Sequence, residues 1–150
     1  DPVIAATRSG RLADDATVEA LSSSLLALPH AVITPNVAEA SLLLGRHVDR
    51  AGMIEAAEAL RTRGARAVLL KGGHLDGSPL DILSTADGVE RFEGERIAGD
   101  MRGTGCVLAM ALACALARGD ALRDAAMFAR GFVREKIAHA VQFGGLFAAY

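Results

Sequence analysis

Apolar residues recur at helical spacing in "DDATVEALSSSLLALP" (14–29), where Val18, Leu21, Leu25 and Leu28 share one face. Asp14 or Asp15 stands where a helix cap is needed, and Pro29 ends the run. "AVIT" (31–34) has the length of a short buried strand, and Pro35 stops its pairing. "NVAEASLLLG" (36–45) predicts a short helix terminated by Gly45. A third helix is predicted in "RAGMIEAAEALRTRG" (50–64), capped by Asp49 and closed by Gly64. "AVLLKGG" (67–73) predicts a strand that runs into a glycine turn. "DILST" and "VERFEG" predict two short strands joined at Asp87-Gly88 as a hairpin. Helices at 103–117 and from about 120 to 141 complete the pattern.

Strands alternating with helices of this length predict an α/β fold with a mainly parallel sheet and right-handed crossovers. In such sheets ligands bind beyond the carboxyl ends of the strands. Three unusual stretches fall there: Pro35-Asn36, Lys71-Gly72-Gly73 and the Gly-Thr-Gly turn at 103–105. No internal repeat or interior linker interrupts the chain, so residues 1–150 read as one domain.

Composition narrows the function. The chain has 150 residues, 51% of them hydrophobic, enough for a real core. No apolar run approaches the roughly 20 residues that span a bilayer, so no membrane partner is expected. The Ala/Leu-rich segment 103–117 is too short for that and reads as a core helix. A formal net charge of −2 gives no basic face for nucleic acid. Cys106 and Cys114 lie too far apart along one predicted helix to bridge, and no C-x-x-C suggests zinc. Free thiols and no signal peptide fit a reducing cytoplasm. The chain begins "DPVIAATRSG", without Met and with no room for a leading strand, which points to a missing N-terminal part.

The chemistry concentrates in "MRGTGCVLAMALACALARG" (101–119). Gly103 and Gly105 let backbone amides point the same way with no Cβ in the path. The helix behind them starts with unpaired N–H groups and a partial positive charge. Together they make an anion site, most often for phosphate, to which Thr104 adds a hydroxyl donor. A Walker A loop is absent, and a dinucleotide fingerprint fails because Leu108 stands where its third glycine belongs. Cys106, on the first turn, sits where the dipole favours a thiolate, which suits a proton acceptor beside a phosphate. The plainer alternative is a small core hydrophobe. Cys114 has no such context and is assigned to the core.

"RGTGC" followed by a small-residue helix resembles the anion-hole motif of the ribokinase-like kinases. Cysteine at the base position resembles the hydroxymethylpyrimidine/phosphomethylpyrimidine kinases of thiamine synthesis, with pyridoxal kinases as relatives. "DPV" (1–3), "ITPNVAEASLLLG" (33–45), "VLLKGGHLDG" (68–77) and "ALARGDALRDAAMFA" (115–129) agree in order and spacing. The resemblance implies a three-layer α/β/α ribokinase-like fold that lacks its N-terminal strands, with residues 1–150 as its C-terminal portion bearing the ATP site and anion hole.

It also implies roles. Asn36 and Glu39 match an N-x-x-E motif that helps place Mg²⁺ and the phosphates of ATP, Glu39 acting through water. The same pair also reads as a helix N-cap and its capping-box partner. Lys71 matches a lysine near the nucleotide phosphates, Gly72 and Gly73 let the backbone approach ATP, and Asp1 matches an aspartate near the metal. Gly103, Thr104, Gly105 and Cys106 would serve the reacting phosphoryl group, with Cys106 as base. The implied reaction is phosphoryl transfer from ATP to the hydroxymethyl group of a pyrimidine, or to its monophosphate. Partners are small molecules, and because the family often dimerises a homodimer is open.

Two departures stand out: Arg102 replaces the family's usual histidine, and "RIAGDMRGTGC" is one residue short. The ring-binding half is absent from this sequence, so pyridoxal or another vitamin stays open as substrate. So does a non-catalytic nucleotide-binding module.

Overall fold

The computed structural model describes residues 1–6, 10–24, 26–99, 101–143 and 146–148, which fall into two units, Asp1–Gly94 and Glu95–Tyr150. The first unit begins with two-residue strands β1 (Ala5–Ala6) and β2 (Gly10–Arg11), paired antiparallel. These are too short to leave a periodic signal, and the sequence pattern did not predict them. Helix α1 (Asp15–Ser24) follows, with the Thr17 amide donating to Asp14 Oδ1 at 2.8 Å. The hydrogen bonds from Thr17 hold the Asp14 carboxyl below its usual range. The helix is shorter than its apolar spacing suggested. Val18 is buried, but Leu26 takes the next core place beyond the helix end, and Leu28 is 50% exposed. Leu25 lies outside the described residues.

Strand β3 (Val32–Ile33), helix α2 (Val37–Leu44) and helix α3 (Met53–Arg61) come next. Gly45 ends α2 in the left-handed conformation that favours glycine, with φ +68°. Asp49 acts one step earlier than expected. It accepts from the Gly52 amide at 2.8 Å and turns the chain into α3 without capping it directly.

Strands β4 (Ala67–Lys71), β5 (Leu80–Thr85) and β6 (Gly88–Glu93) complete a four-stranded sheet in the order β3-β4-β5-β6. Only β3 and β4 run parallel, and the expectation of a mainly parallel sheet gives way here to a mixed one. The cause is connection length: residues 72–79 and 86–87 are too few for a crossover, so each returns the chain antiparallel. The β5–β6 turn is Ala86-Asp87, with Gly88 already paired to Thr85, one residue earlier than the Asp-Gly signal suggested.

Val68, Leu70, Leu80 and Ile82 project to one side of the sheet, where they join Met53, Ala56, Ala57 and Leu60 of α3 in a core. Those α3 residues follow the i, i+3, i+4, i+7 spacing of a helix that buries one stripe.

In the second unit α4 (Thr104–Ala117) packs on α5 (Leu122–Ala138). Leu108, Ala111, Leu112 and Ala115 of α4 and Ala125, Ala126, Ala129 and Val133 of α5 are buried. Small side chains at the contact let the two backbones come close. The α4 segment is not apolar on the inside alone: Met110 is 66% exposed, and both cysteines are exposed. Cys114 is therefore not a core residue. An alanine-rich helix looks buried all round in sequence, yet only the 108/111/112/115 stripe is covered. The last helix ends at Ala138, and β7 (Val141–Phe143) and β8 (Leu146–Ala148) form an antiparallel pair that the sequence pattern missed.

Candidate functional site

The carboxyl ends of β3 and β4 are tied together. The Lys71 amide donates to the Pro35 carbonyl at 2.8 Å, and Asn36 and Lys71 form a parallel bridge. This puts the end of β4 beside the start of α2. Lys71 then reaches the chain's first residues. Its Nζ donates to Asp1 Oδ1 at 2.8 Å, and both side chains are only 13% exposed. The Thr34 hydroxyl donates to the same oxygen at 3.3 Å. Asp1, Thr34 and Lys71 thus form one cluster, of which Thr34 was not anticipated.

Asn36 and Glu39 form a full capping box. Asn36 Oδ1 accepts from the Glu39 amide at 2.9 Å, and Glu39 Oε2 accepts from the Asn36 amide at 2.8 Å. Both side chains do a second job. Asn36 Nδ2 donates to the Ala5 carbonyl at 3.0 Å, and Glu39 Oε1 accepts from the Ile4 amide at 3.2 Å. Glu39 is buried, at 2% exposure. The pair therefore clamps the segment 1–5 against the start of α2. That segment needs holding, because Val3 has φ +53°, a left-handed conformation that a β-branched residue adopts only under constraint.

This arrangement bears on Mg²⁺. Both oxygens of Glu39 accept from backbone amides, so Glu39 does not fit as a direct metal ligand. Among the described residues no group of three or more His, Cys, Asp or Glu side chains could hold a metal ion. The Asp1 carboxylate accepts from Lys71 and Thr34 through one oxygen, Oδ1.

After Lys71 the chain turns at Gly72. The Gly72 amide donates to Asp81 Oδ1 at 3.0 Å, and the Leu75 amide donates to the Gly72 carbonyl at 3.0 Å. A Cβ at Gly72 would strike the Leu80 carbonyl and would lie 2.7 Å from Met53 Cε. Here glycine is required by space. At Gly73 a Cβ would meet nothing within 4 Å. Asp81 was missed by sequence reasoning. Its signal was available: a single acid in the otherwise apolar run "LDIL", where a buried charge must have a partner.

In the second unit Gly103 is the residue before α4, with φ +76°. Among the described residues no side chain caps the helix there, and the Val107 amide bonds back to the Gly103 carbonyl at 3.0 Å. Thr104, Gly105 and Cys106 are the three positions of the first turn whose amides have no helical acceptor. Thr104 and Gly105 are half-buried and Cys106 is exposed, so Cys106 is not the small core hydrophobe of the plainer reading. Arg102 is exposed.

A family model described as phosphomethylpyrimidine kinase matches residues 1–149. Among curated relatives, a bifunctional thiamine biosynthesis protein of Geobacter sulfurreducens is 41% identical over 96% of this chain and 30% of its own length. A hydroxymethylpyrimidine/phosphomethylpyrimidine kinase of Rhizobium meliloti is 41% identical over 93% of this chain and 54% of its own. The chain thus spans about half or less of these relatives. Of solved structures, Bacillus subtilis pyridoxal kinase in complex with ADP superposes with a TM-score of 0.88 at 29% identity, covering 99% of this chain and 58% of that one. A phosphomethylpyrimidine kinase from Clostridium difficile gives 0.75 at 29% identity, over 90% of this chain and 55% of that one.

Proposed function

Because this chain belongs to the phosphomethylpyrimidine kinase family, we propose that it carries the nucleotide site and the proton acceptor of an ATP-dependent kinase. The acceptor is the hydroxymethyl group of hydroxymethylpyrimidine, or of its monophosphate, in thiamine synthesis. The observation that carries this reading is the start of α4, which no side chain among the described residues caps and which has a thiol on its first turn.

The Thr104, Gly105 and Cys106 amides and the Thr104 hydroxyl hold the charge that builds on the transferring phosphoryl group. Lys71 adds a positive point charge near the phosphates, and Gly72 and Gly73 let the backbone approach them. Asn36 and Glu39 act by holding segment 1–5, and Asp1 offers its carboxylate to Mg²⁺. When bound, Mg²⁺ neutralises phosphate charge. Cys106 takes the proton of the substrate hydroxyl as that oxygen bonds to the γ-phosphorus. The bond from that phosphorus to ADP breaks, and ADP leaves with the electron pair.

The reading takes residues 1–150 as a single kinase domain, and the family match across residues 1–149 supports it. It also includes a cytoplasmic setting, small-molecule partners and a homodimer as the assembly to look for. Among the described residues no helix is long and apolar enough to cross a membrane.

Pyridoxal is the second substrate to test, because a pyridoxal kinase shares the fold. The test is ADP release from ATP–Mg²⁺ by the protein at its full natural length, with hydroxymethylpyrimidine and pyridoxal in parallel. Release that depends on the pyrimidine is the expected result. Release with pyridoxal alone selects the second substrate. Nucleotide binding without release makes the protein a non-catalytic module and overturns the kinase reading.

A further inference from the structure

Asp81 is buried, at 7% exposure, and lies directly across the β4–β5 ladder from Lys71. Residues paired in this way project to the same side of a sheet. The strand β4 ends at Lys71, so the Gly72 amide is the first to leave the ladder, and the Asp81 carboxylate accepts it at 3.0 Å. The Lys71 amide is held from the other side by the Pro35 carbonyl at 2.8 Å. A side chain at Gly72 has no room, since a Cβ there would strike the Leu80 carbonyl and the Met53 thioether. Two successive peptides are thus fixed, one on each side of the lysine side chain.

We propose that Asp81 is a positioning residue: by holding the Gly72 amide it sets the direction in which Lys71 leaves β4 and the course of the Gly72-Gly73 turn. The inference rests on the kinase reading for its consequence, because it is there that Lys71 and the turn meet the nucleotide phosphates. Its structural half stands on the Asp81–Gly72 contact alone. A carboxylate is suited to this place, since it accepts a backbone amide strongly and sits across from a cationic side chain. An ordinary strand carbonyl at that point would have continued the ladder and carried the chain straight on.

The experiment uses the full-length protein with Asp81→Ala, Asp81→Asn, Lys71→Ala and the Asp81→Ala/Lys71→Ala pair. Steady-state kinetics with ATP–Mg²⁺ are measured well below each variant's melting temperature. Asp81→Ala is expected to raise KM for ATP about 10- to 100-fold, the scale of a small misplacement of a binding group. Asp81→Asn, which keeps an acceptor for the Gly72 amide, should stay within about threefold of the reference. In the Lys71→Ala background, Asp81→Ala should add less than about threefold, because its effect runs through that lysine. Fully multiplying effects overturn the proposal, as does an Asp81→Asn variant as impaired as Asp81→Ala. A variant that loses melting temperature with unchanged KM makes Asp81 merely structural and also overturns it.

Hydrogen exchange at the Gly72 amide gives a second readout independent of turnover. It should quicken in Asp81→Ala and stay slow in Asp81→Asn, and equal exchange in both contradicts the proposal. If the unsubstituted protein neither binds nor turns over ATP, the kinase reading fails by itself, and Gly72 exchange still decides whether Asp81 holds the turn.

Discussion

The starts of α2 and α4 are built in opposite ways. At α2 the orphan amides meet Asn36 and Glu39, and the same two side chains reach on to Ala5 and Ile4. At α4 no side chain among the described residues caps the helix, and a left-handed glycine is followed by a threonine, a glycine and a cysteine. A capped helix has spent its anion-binding capacity on its own protein. An uncapped one keeps it for a ligand. The N-x-x-E motif therefore works as scaffold, holding the Val3 loop and Asp1, while in the proposed reading the Gly-Thr-Gly-Cys turn takes the phosphoryl group.

The glycines divide in the same way, and alanine at each breaks the comparison most sharply. Gly72→Ala forces a Cβ into the Leu80 carbonyl and Met53, and should cost about 3 kcal/mol in thermal or denaturant unfolding. Gly103→Ala meets no atom within 4 Å and pays only for its left-handed backbone, about 1 kcal/mol. Equal costs would mean that the strand end is no more crowded than the helix start.

Glu39→Gln should come next in size. Its amide can accept from only one of the Ile4 and Asn36 N–H groups and turns a donor toward the other, a loss of about 2 kcal/mol at a buried site. A Glu39→Gln protein of unchanged stability but weakened Mg²⁺ dependence would restore Glu39 to a metal role and remove the contrast between the two helices.

Much of this was legible in the chain. Asn36, Glu39 and Gly45 are local signals, each acting within one turn of its own helix, and all three are where spacing put them. The ends of β3 and β4 were legible because apolar runs stop there at Pro35 and Gly72. Other features depend on distant partners and left little trace. The second contacts of Asn36 and Glu39 reach back more than 30 residues. Asp81 is explained only once β5 is seen to return beside β4. The exposed stripe of α4 was hidden by alanine, which is equally at home inside and outside a helix bundle. Strands of two or three residues, as in β1, β2, β7 and β8, are below the length at which alternation can be counted.

In the proposed reading the start of α4 serves chemistry, with Cys106 as its base. The most direct measurement is kcat for hydroxymethylpyrimidine phosphorylation beside the dissociation constant for ATP–Mg²⁺, in the full-length protein and in Cys106→Ala. The expected result is a fall in kcat of about 10²- to 10⁴-fold, with nucleotide affinity kept within about threefold. A Cys106→Ala enzyme with near-normal kcat would contradict it, leaving the turn at 103–106 as an anion site whose thiol has no part in proton transfer.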